Sequence, residues 1–410
     1  MSYIHRAISD TLKTRVKTSK CTLILGARQV GKSTLVKHEF AEYNRVNFDN
    51  SLDRLQAKEE PKLFFLNNPC PLFIDEVQKE ASILEEVKLI VDDSDERGQF
   101  IMSGSQKLEL MKDVSESLAG RVSIYELTGL SLREIHEIGY NKHFVPTDEY
   151  IRERESELVS YENIWELIHN GSYPELYDID RDWQEFYSSY VSTYLERDIH
   201  ELISADSVTF TKFLTAVAAR TGQMLNYANI ANEVGVSEPT VKNWISVLER
   251  TGIVYLLQPY SSSSLSRAIK TPKIYFRDTG LACYLTRWLT AEALKNSAVA
   301  GNMFETFVVS EILKSYSNEG MDYRFNIFYY RGKDKSASGR NEIDLIIEEN
   351  GILYPIEIKM TGNPKAEMAA TNMVLDKVPD KKRGTGVILC LIDKKTYLRE
   401  NLIALPIEYI

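Results

Sequence analysis

Residues Gly26-Ala27-Arg28-Gln29-Val30-Gly31-Lys32-Ser33-Thr34 follow the spacing G-x-x-x-x-G-K-S. The chemistry of that spacing is triphosphate binding. The glycines let the backbone turn so that successive N–H groups face phosphate oxygens, and the start of a helix adds a partial positive charge. Lys32 would reach the β- and γ-phosphates, and the Ser33 hydroxyl would ligate Mg²⁺. The bland alternative is a glycine-rich strand-to-helix turn. The apolar run Thr22–Leu25 before it and the helix-compatible stretch to Phe40 after it favour the cradle.

A second set lies in Pro71-Leu72-Phe73-Ile74-Asp75-Glu76, an apolar run ending in two acids. This is the Walker B pattern. Asp75 would hold Mg²⁺ through water, and Glu76 would orient or deprotonate the attacking water. Alone, the pattern also fits a strand end followed by a helix cap. Further on, Gln99–Met102 runs into Ser103-Gly104-Ser105-Gln106. Ser105 is the first candidate to touch the γ-phosphate or the water, with Ser103 and Gln106 close behind. A plain Ser/Gly turn is the competing reading.

A third set sits near the end of the chain. In Pro355-Ile356-Glu357-Ile358-Lys359 side chains alternate, so Glu357 and Lys359 share one face while the isoleucines face a core. Asp344, in Glu342-Ile343-Asp344-Leu345-Ile346-Ile347, can meet Glu357 from a neighbouring strand, and Glu305 can approach from an upstream helix. Together they would hold one or two Mg²⁺ or Mn²⁺ ions, with Asp344 and Glu357 as ligands. The metal would activate water, and Lys359 would neutralise developing charge. The competing reading is a strand with a polar solvent face.

These residues need elements to position them. Strands at Thr22–Leu25, Arg45–Phe48, Pro71–Ile74, Gln99–Met102 and Val122–Leu127 alternate with helical stretches, which implies a parallel sheet covered by helices. Its ligand site would lie beyond the carboxyl ends, where Gly26, Asp75 and Ser103 fall. The middle of the chain reads as helical: Asp148–Glu162, Trp165–His169, Trp183–Ser204 and Val208–Thr221. Leu225–Leu257 then reads as helix, glycine turn at Gly235, helix capped by Ser237 and opened by Pro239, and strand: a helix-turn-helix with a wing whose loop is Ser261–Ser264. Glu238, Thr240, Lys242 and Asn243 would face a DNA groove, and Arg267, Lys270, Lys273 and Arg277 could track a backbone. A lid or protein-docking surface is the alternative. Asp278 should cap the next helix. Helix Gly301–Ser315, strands Phe325–Tyr330, Asn341–Ile347 and Ile352–Lys359, helix Lys365–Asp376 and strand Val387–Ile392 have the core order of PD-(D/E)xK nucleases. Arg331-Lys333-Lys335-Arg340 and Lys381-Lys382-Arg383 are basic loops that could meet phosphates.

GARQVGKST, FIDEVQ, FIMSGSQ and SLAGRVSIYELTGLSLRE resemble the predicted AAA+ superfamily ATPases of bacteria and archaea that carry a C-terminal domain of unknown function. GSYPE, YVSTYLERDI, KIYFRDTGLACYL, GNMFETFVVSEI, EIDLII and PIEIK extend the resemblance over nearly the whole chain. It implies an α/β fold: a P-loop AAA+ domain (1–147), a helical lid (148–222), a winged helix (223–295) and a nuclease-like α/β domain (296–410). It also implies an arginine at the γ-phosphate, from the same or a neighbouring subunit. Arg121 fits that role, as does a surface arginine's; Arg197 fits a sensor or an intrahelical ion pair.

Composition limits the rest. The 410 residues suffice for several domains, and with 43% hydrophobic and 26% charged residues the chain is of globular type. The count of 49 Lys and Arg against 59 Asp and Glu gives a net charge of −10, which excludes a strongly basic body that coats nucleic acid. Cys21, Cys70, Cys283 and Cys390 lie far apart and the six histidines are scattered, so no disulfide framework or zinc site is expected. No apolar run spans a membrane and the start is polar and basic, so a cytoplasmic protein is expected. The expected function is an ATPase coupled to DNA engagement, with a nuclease end as an open question and homo-oligomerisation undecided. The alternative is a nucleotide switch or scaffold whose nuclease-like unit binds a partner without cutting. A ring-forming motor for protein substrates is a third reading.

Overall fold

The computed structural model describes residues 3–104, 114, 116–178, 181–199, 206–261, 270–332 and 341–410, with the side chains of 196–199 outside the description. Ser105, Gln106, Ser262–Ser264, Arg267, Lys333, Lys335, Arg340 and the side chain of Arg197 therefore lie outside the described residues.

Strands β1 (Cys21–Leu25), β2 (Asn44–Asn47), β3 (Leu72–Asp75), β4 (Phe100–Gly104) and β5 (Val122–Glu126) form one parallel sheet in the order β2-β3-β4-β1-β5. The strands β1, β3 and β4 are buried throughout because both faces are covered. Ile24 joins Phe73 and Ile101 in one core with Leu12 of helix Ile8–Val16 and Leu35 of α1 (Lys32–Glu39). Leu23 and Leu25, one residue to either side, join Ile74, Met102 and Val87 of helix Ile83–Asp92 in the other. The period of two thus assigns alternate residues to opposite faces. Parallel pairing with crossovers leaves the carboxyl ends of β1, β3 and β4 on one edge.

The middle is helical. Trp183–Tyr190 continues as a π-helical stretch, Val191–Ile199, where the sequence suggested one regular helix. Helices α3 (Tyr227–Val234) and α4 (Glu238–Arg250) are joined through Gly235; the Ser237 side chain accepts from Thr240 N–H to cap α4. Helix α2 (Leu132–Ile135) lies upstream, and the strands of a small antiparallel sheet flank α3 and α4 in the chain. Its strands β6 (Gln223–Met224), β7 (Val254–Leu257) and β8 (Lys273–Phe276) are ordered β6-β8-β7.

Asp278 caps α5 (Thr279–Leu285), accepting from Leu281 N–H at 2.7 Å as expected. It does more. The same carboxylate accepts from Ser172 N–H at 2.6 Å, Ser172 Oγ at 2.8 Å and Tyr187 Oη at 2.7 Å, which ties α5 to helix Trp183–Tyr190 and to the bend after helix Ile164–Asn170.

The C-terminal unit begins with α6 (Ala300–Asn318), which is buried along nearly its whole length. A second sheet follows, from β9 (Ile327–Arg331), β10 (Glu342–Glu349), β11 (Ile352–Lys359), β12 (Lys382–Arg383), β13 (Gly386–Cys390), β14 (Thr396–Arg399) and β15 (Leu402–Pro406). Its order is β14-β15-β13-β11-β10-β9, with β12 beside β11. β9, β10 and β11 pair antiparallel, and β13 and β15 continue parallel. Two corrections apply. Ala366–Lys377 is a 3-10 segment interrupted at Ala369, not a regular helix. β14 and β15, absent from the sequence reading, complete the sheet edge. One apolar core runs from Ile24 of the first sheet through Trp244 and Phe304 to Leu345 and Leu389 of the second. No described helix is long and apolar enough to cross a membrane.

Asp278→Ala should leave these four donors without their acceptor and lower stability by about 3 kcal/mol. Urea unfolding followed by tryptophan fluorescence checks this; a loss below about 0.5 kcal/mol would contradict it.

Candidate functional site

Two glycines shape the loop after β1 for different reasons. A Cβ on Gly26 would stand 2.3 Å from the Leu127 carbonyl oxygen, because β1 and β5 close against each other there. Gly31 adopts φ 94° at the start of α1, a conformation that L side chains rarely hold. Gln29 is left-handed as well, at φ 62°. The Lys32 ammonium donates to the Gly26 and Ala27 carbonyl oxygens at 3.1 and 2.9 Å. Burial holds Lys32 below the ordinary lysine range, opposed by the charges of Glu76 and Asp75.

Arg28, Gln29, Gly31, Lys32, Ser33 and Thr34 line a pocket of about 600 Å³, with Glu76 on its wall. Asp75 lies just behind, 4% exposed, accepting from the buried Ser103 hydroxyl at Oδ1 and from Asn47 Nδ2 at 3.5 Å. Glu76 is left-handed at φ 55°, a strained state for a non-glycine residue, and Gln78 donates to its Oε2. Val30 points into the core, and its carbonyl faces Arg6. Glu175, Tyr190, Thr193 and Tyr194 close the far wall, with Arg28 stacked 5.3 Å from the Tyr194 ring centroid. The π-helical stretch thus supplies a wall of the pocket, a common place for such irregularity.

Arg121 is not brought to this pocket in the chain. Its carbonyl accepts from Cys21 N–H at the amino ends of β1 and β5, the sheet edge opposite the loop. Its guanidinium closes on Asp92 at 2.5 and 2.9 Å.

The C-terminal acids do converge, but around lysines. Lys359 Nζ lies 2.5 Å from Asp344 Oδ2 and 2.7 Å from Glu357 Oε2. Lys273 Nζ lies 2.5 Å from Glu342 Oε1, 2.9 Å from Glu305 Oε1 and 4.0 Å from Asp344 Oδ1. Tyr275 Oη donates to Glu305 at 2.6 Å and Ile358 N–H to Asp344 at 2.9 Å. Asp344 and Glu357 are 7% and 2% exposed. Burial pushes Glu357 well above the carboxylate range and raises Glu305 too. Burial also acts on Asp344, but Lys359 and Lys273 outweigh it and hold that carboxyl low. Both lysines are held high by the acids despite burial.

In this arrangement the carboxylates named for a divalent metal are held as ion pairs with lysine. Each carboxylate named for metal faces an ammonium, and among the described residues no group of three His, Cys, Asp or Glu side chains could hold an ion. Glu357 Oε1 is buried without a partner, one free oxygen rather than a cage. Lys273 and Glu342 were missed as members. Glu342 had a signal, standing two residues before Asp344 on the same strand face.

Among the described residues named as possible phosphate contacts, Lys270 and Lys382 are exposed, while the others are engaged by neighbours. Lys273 is buried in the acid cluster, and Arg277 is bound to Glu126 at 2.7 Å and to Tyr323. Lys242 pairs with Glu238 at 2.8 Å on the exposed face of α4. Arg331 lies 3.4 Å from Glu342, Lys381 pairs with Glu348 and Arg383 with Asp376.

Comparison with known proteins agrees with the first sheet. Residues 18–136 match a family described as an AAA domain, which spans the five strands of the first sheet. Residues 161–292 and 300–410 match two families described only as domains of unknown function, DUF8612 and DUF4143. The chain is similar to an uncharacterized protein of Mycobacterium tuberculosis, 26% identical over 90% of this chain and 77% of that one. It is also similar to an uncharacterized protein of Methanocaldococcus jannaschii, 24% identical over 86% of each. Among solved structures it is similar to a Walker-type ATPase of Pyrococcus abyssi, with TM-score 0.42, 15% identity and coverage of 68% of this chain and 94% of that one. A STAND protein with a tetratricopeptide repeat sensor from Pyrococcus horikoshii gives TM-score 0.26 and 10% identity, over 77% of this chain and 47% of that one.

The cluster geometry sets an expected contrast. Lys273→Met leaves buried acids without their cation and should cost about 3–5 kcal/mol. Lys242→Met, at an exposed pair, should leave the unfolding midpoint near that of wild type. Equal unfolding midpoints for the two variants would contradict the buried ion cluster.

Proposed function

We propose that this chain binds and hydrolyses Mg²⁺-ATP at the pocket after β1. The observation that carries the reading is the convergence of Lys32, Ser33 and Glu76 on one pocket with Asp75 directly behind. Ser33 and Asp75 suit Mg²⁺, which takes one or two protein oxygens and fills its shell with water and phosphate. Held there by Ser33 and Asp75, Mg²⁺ would supply neutralisation of phosphate charge. Lys32 would leave its two backbone carbonyls for the β- and γ-phosphates, whose charge offsets the cost of burying the ammonium. Glu76 would orient the attacking water, with Gln78 holding its carboxylate. Backbone N–H groups of residues 29–33 would cradle the phosphates.

The reading extends to a nucleotide switch whose C-terminal unit engages a partner without cutting it. Its support is the neutralisation of Glu305, Glu342, Asp344 and Glu357 by Lys273 and Lys359. Cutting nucleic acid would require open carboxylates for metal. Direct DNA reading by α4 has little charge to draw on, because Lys242 is closed on Glu238.

Lys32→Ala should weaken ATP binding by about 100-fold, the worth of a lost charge-assisted contact, measured by fluorescent-nucleotide titration. Glu76→Gln should still bind ATP while turnover falls about 100-fold. Wild-type rates in Glu76→Gln would reassign the base. Plasmid and linear DNA incubated with Mg²⁺ or Mn²⁺, with and without ATP, should stay intact with wild type. Cutting by wild type that Lys359→Ala abolishes would overturn the non-cutting reading.

A further inference from the structure

The segment from Thr128 to Glu134, which is the loop after β5 and the start of α2, lies against the nucleotide pocket, where Leu130 is one of the walls. Its backbone groups are not satisfied within the first sheet alone. Arg6 Nη2 donates to the Thr128 and Gly129 carbonyls at 2.8 and 3.3 Å. Lys314 Nζ, from the middle of α6, donates to the Leu130 carbonyl at 2.8 Å. Glu311 Oε2, one turn earlier, accepts from Leu132 N–H at 2.7 Å, and its Oε1 accepts from Lys314 at 2.6 Å. Glu311 and Lys314 are 4% and 5% exposed. Arg6 carries the contact onward: Nη1 donates to the Val30 carbonyl of the phosphate loop at 2.8 Å, and Nε meets Glu134 Oε1 at 2.9 Å.

We propose that Glu311 and Lys314, on the first helix of the C-terminal unit, are positioning residues for the nucleotide site. The inference rests on the reading of that pocket as an ATP site. The path runs from α6 through the 128–134 loop and Arg6 to Val30, and every link is a hydrogen bond to backbone or a buried ion pair. A charged pair is an expensive way merely to fill space, since apolar residues of the same volume stabilise a core as well or better. Here both charges are spent on fixing one peptide segment, Leu130–Leu132, from two sides. Fixing that segment fixes Arg6, and Arg6 holds Val30 so that the following N–H groups face the phosphates. The same helix carries Glu305 of the acid cluster, so the two sites share one rigid element.

The test is ATP affinity and turnover in the full chain carrying Glu311→Met with Lys314→Met. Removing both charges leaves no buried lone ion but unpairs the Leu130 carbonyl and the Leu132 N–H, so the folded fraction is measured alongside. The expected result is a rise of about five- to tenfold in KM for ATP and in Kd for ADP. kcat per folded molecule should stay within about twofold, because groups that touch ATP are unchanged. Glu311→Gln keeps an acceptor for Leu132 N–H and should fall between wild type and the double variant; it gives the same reading if the double variant fails to fold. A merely structural pair would lower the folded fraction, and with it apparent kcat, at unchanged KM; that pattern overturns the inference. Failure of wild type itself to bind ATP, with Lys32→Ala indistinguishable from it, would overturn the nucleotide reading and this inference with it.

Discussion

Buried backbone carbonyls need donors, and the segment after β5 has carbonyls that its own sheet leaves unpaired. Thr128, Gly129 and Leu130 point theirs away from the ladder, and the donors arrive from Arg6 on one side and Lys314 on the other. Leu130 N–H donates to the Ser172 carbonyl, from the middle region. Three parts of the chain therefore meet on a few peptide groups beside the phosphate loop. The tail adds to this junction: Arg133 Nε donates to the Ile410 carbonyl at 3.1 Å and Arg154 Nη2 to the Glu408 carbonyl at 2.7 Å. One apolar core runs through both sheets, so the pocket and the C-terminal unit share packed neighbours.

Electrostatics sharpen that picture. The chain is acidic overall, and several of its cations are turned inward rather than offered to an anionic partner. Lys273 and Lys359 neutralise acids, Lys314 and Arg6 hold backbone, and Arg277 bridges Glu126 of the first sheet to Tyr323 at the start of the second. Each is in a place where loss of its partner leaves a charge in a low-dielectric setting. These cations hold the units of the chain against one another.

How much of this could be read from residues alone follows from the reach of each pattern. The phosphate loop and the Asp75–Glu76 pair were legible because their chemistry is set by spacing within one turn or strand end. The fold class was legible from apolar runs alternating with helical stretches. The acid cluster was half legible: strand alternation pairs Glu357 with Lys359 and Asp344 with its neighbours, but says nothing of Lys273, which arrives from β8. All four residues of β8 are buried, so alternation carries no facing information there, and the basic stretch through Lys273 and Arg277 looked like an outward surface. Arg121 looked like a γ-phosphate ligand because sequence distance from the loop is silent about which end of a strand a residue occupies. Arg6, Glu311 and Lys314 carry no local signal at all; their partners are far along the chain, and only the fold brings them together.

The claim at the centre of this account is that occupancy of the phosphate loop reaches the C-terminal sheet. Amide hydrogen exchange over residues 342–359, with and without saturating Mg²⁺-ATP, tests it most directly. The account predicts a nucleotide-dependent change in protection of β10 and β11 in wild type that is lost in Lys32→Ala. Changed protection around residues 26–34 alone, with 342–359 identical in both conditions, would contradict it.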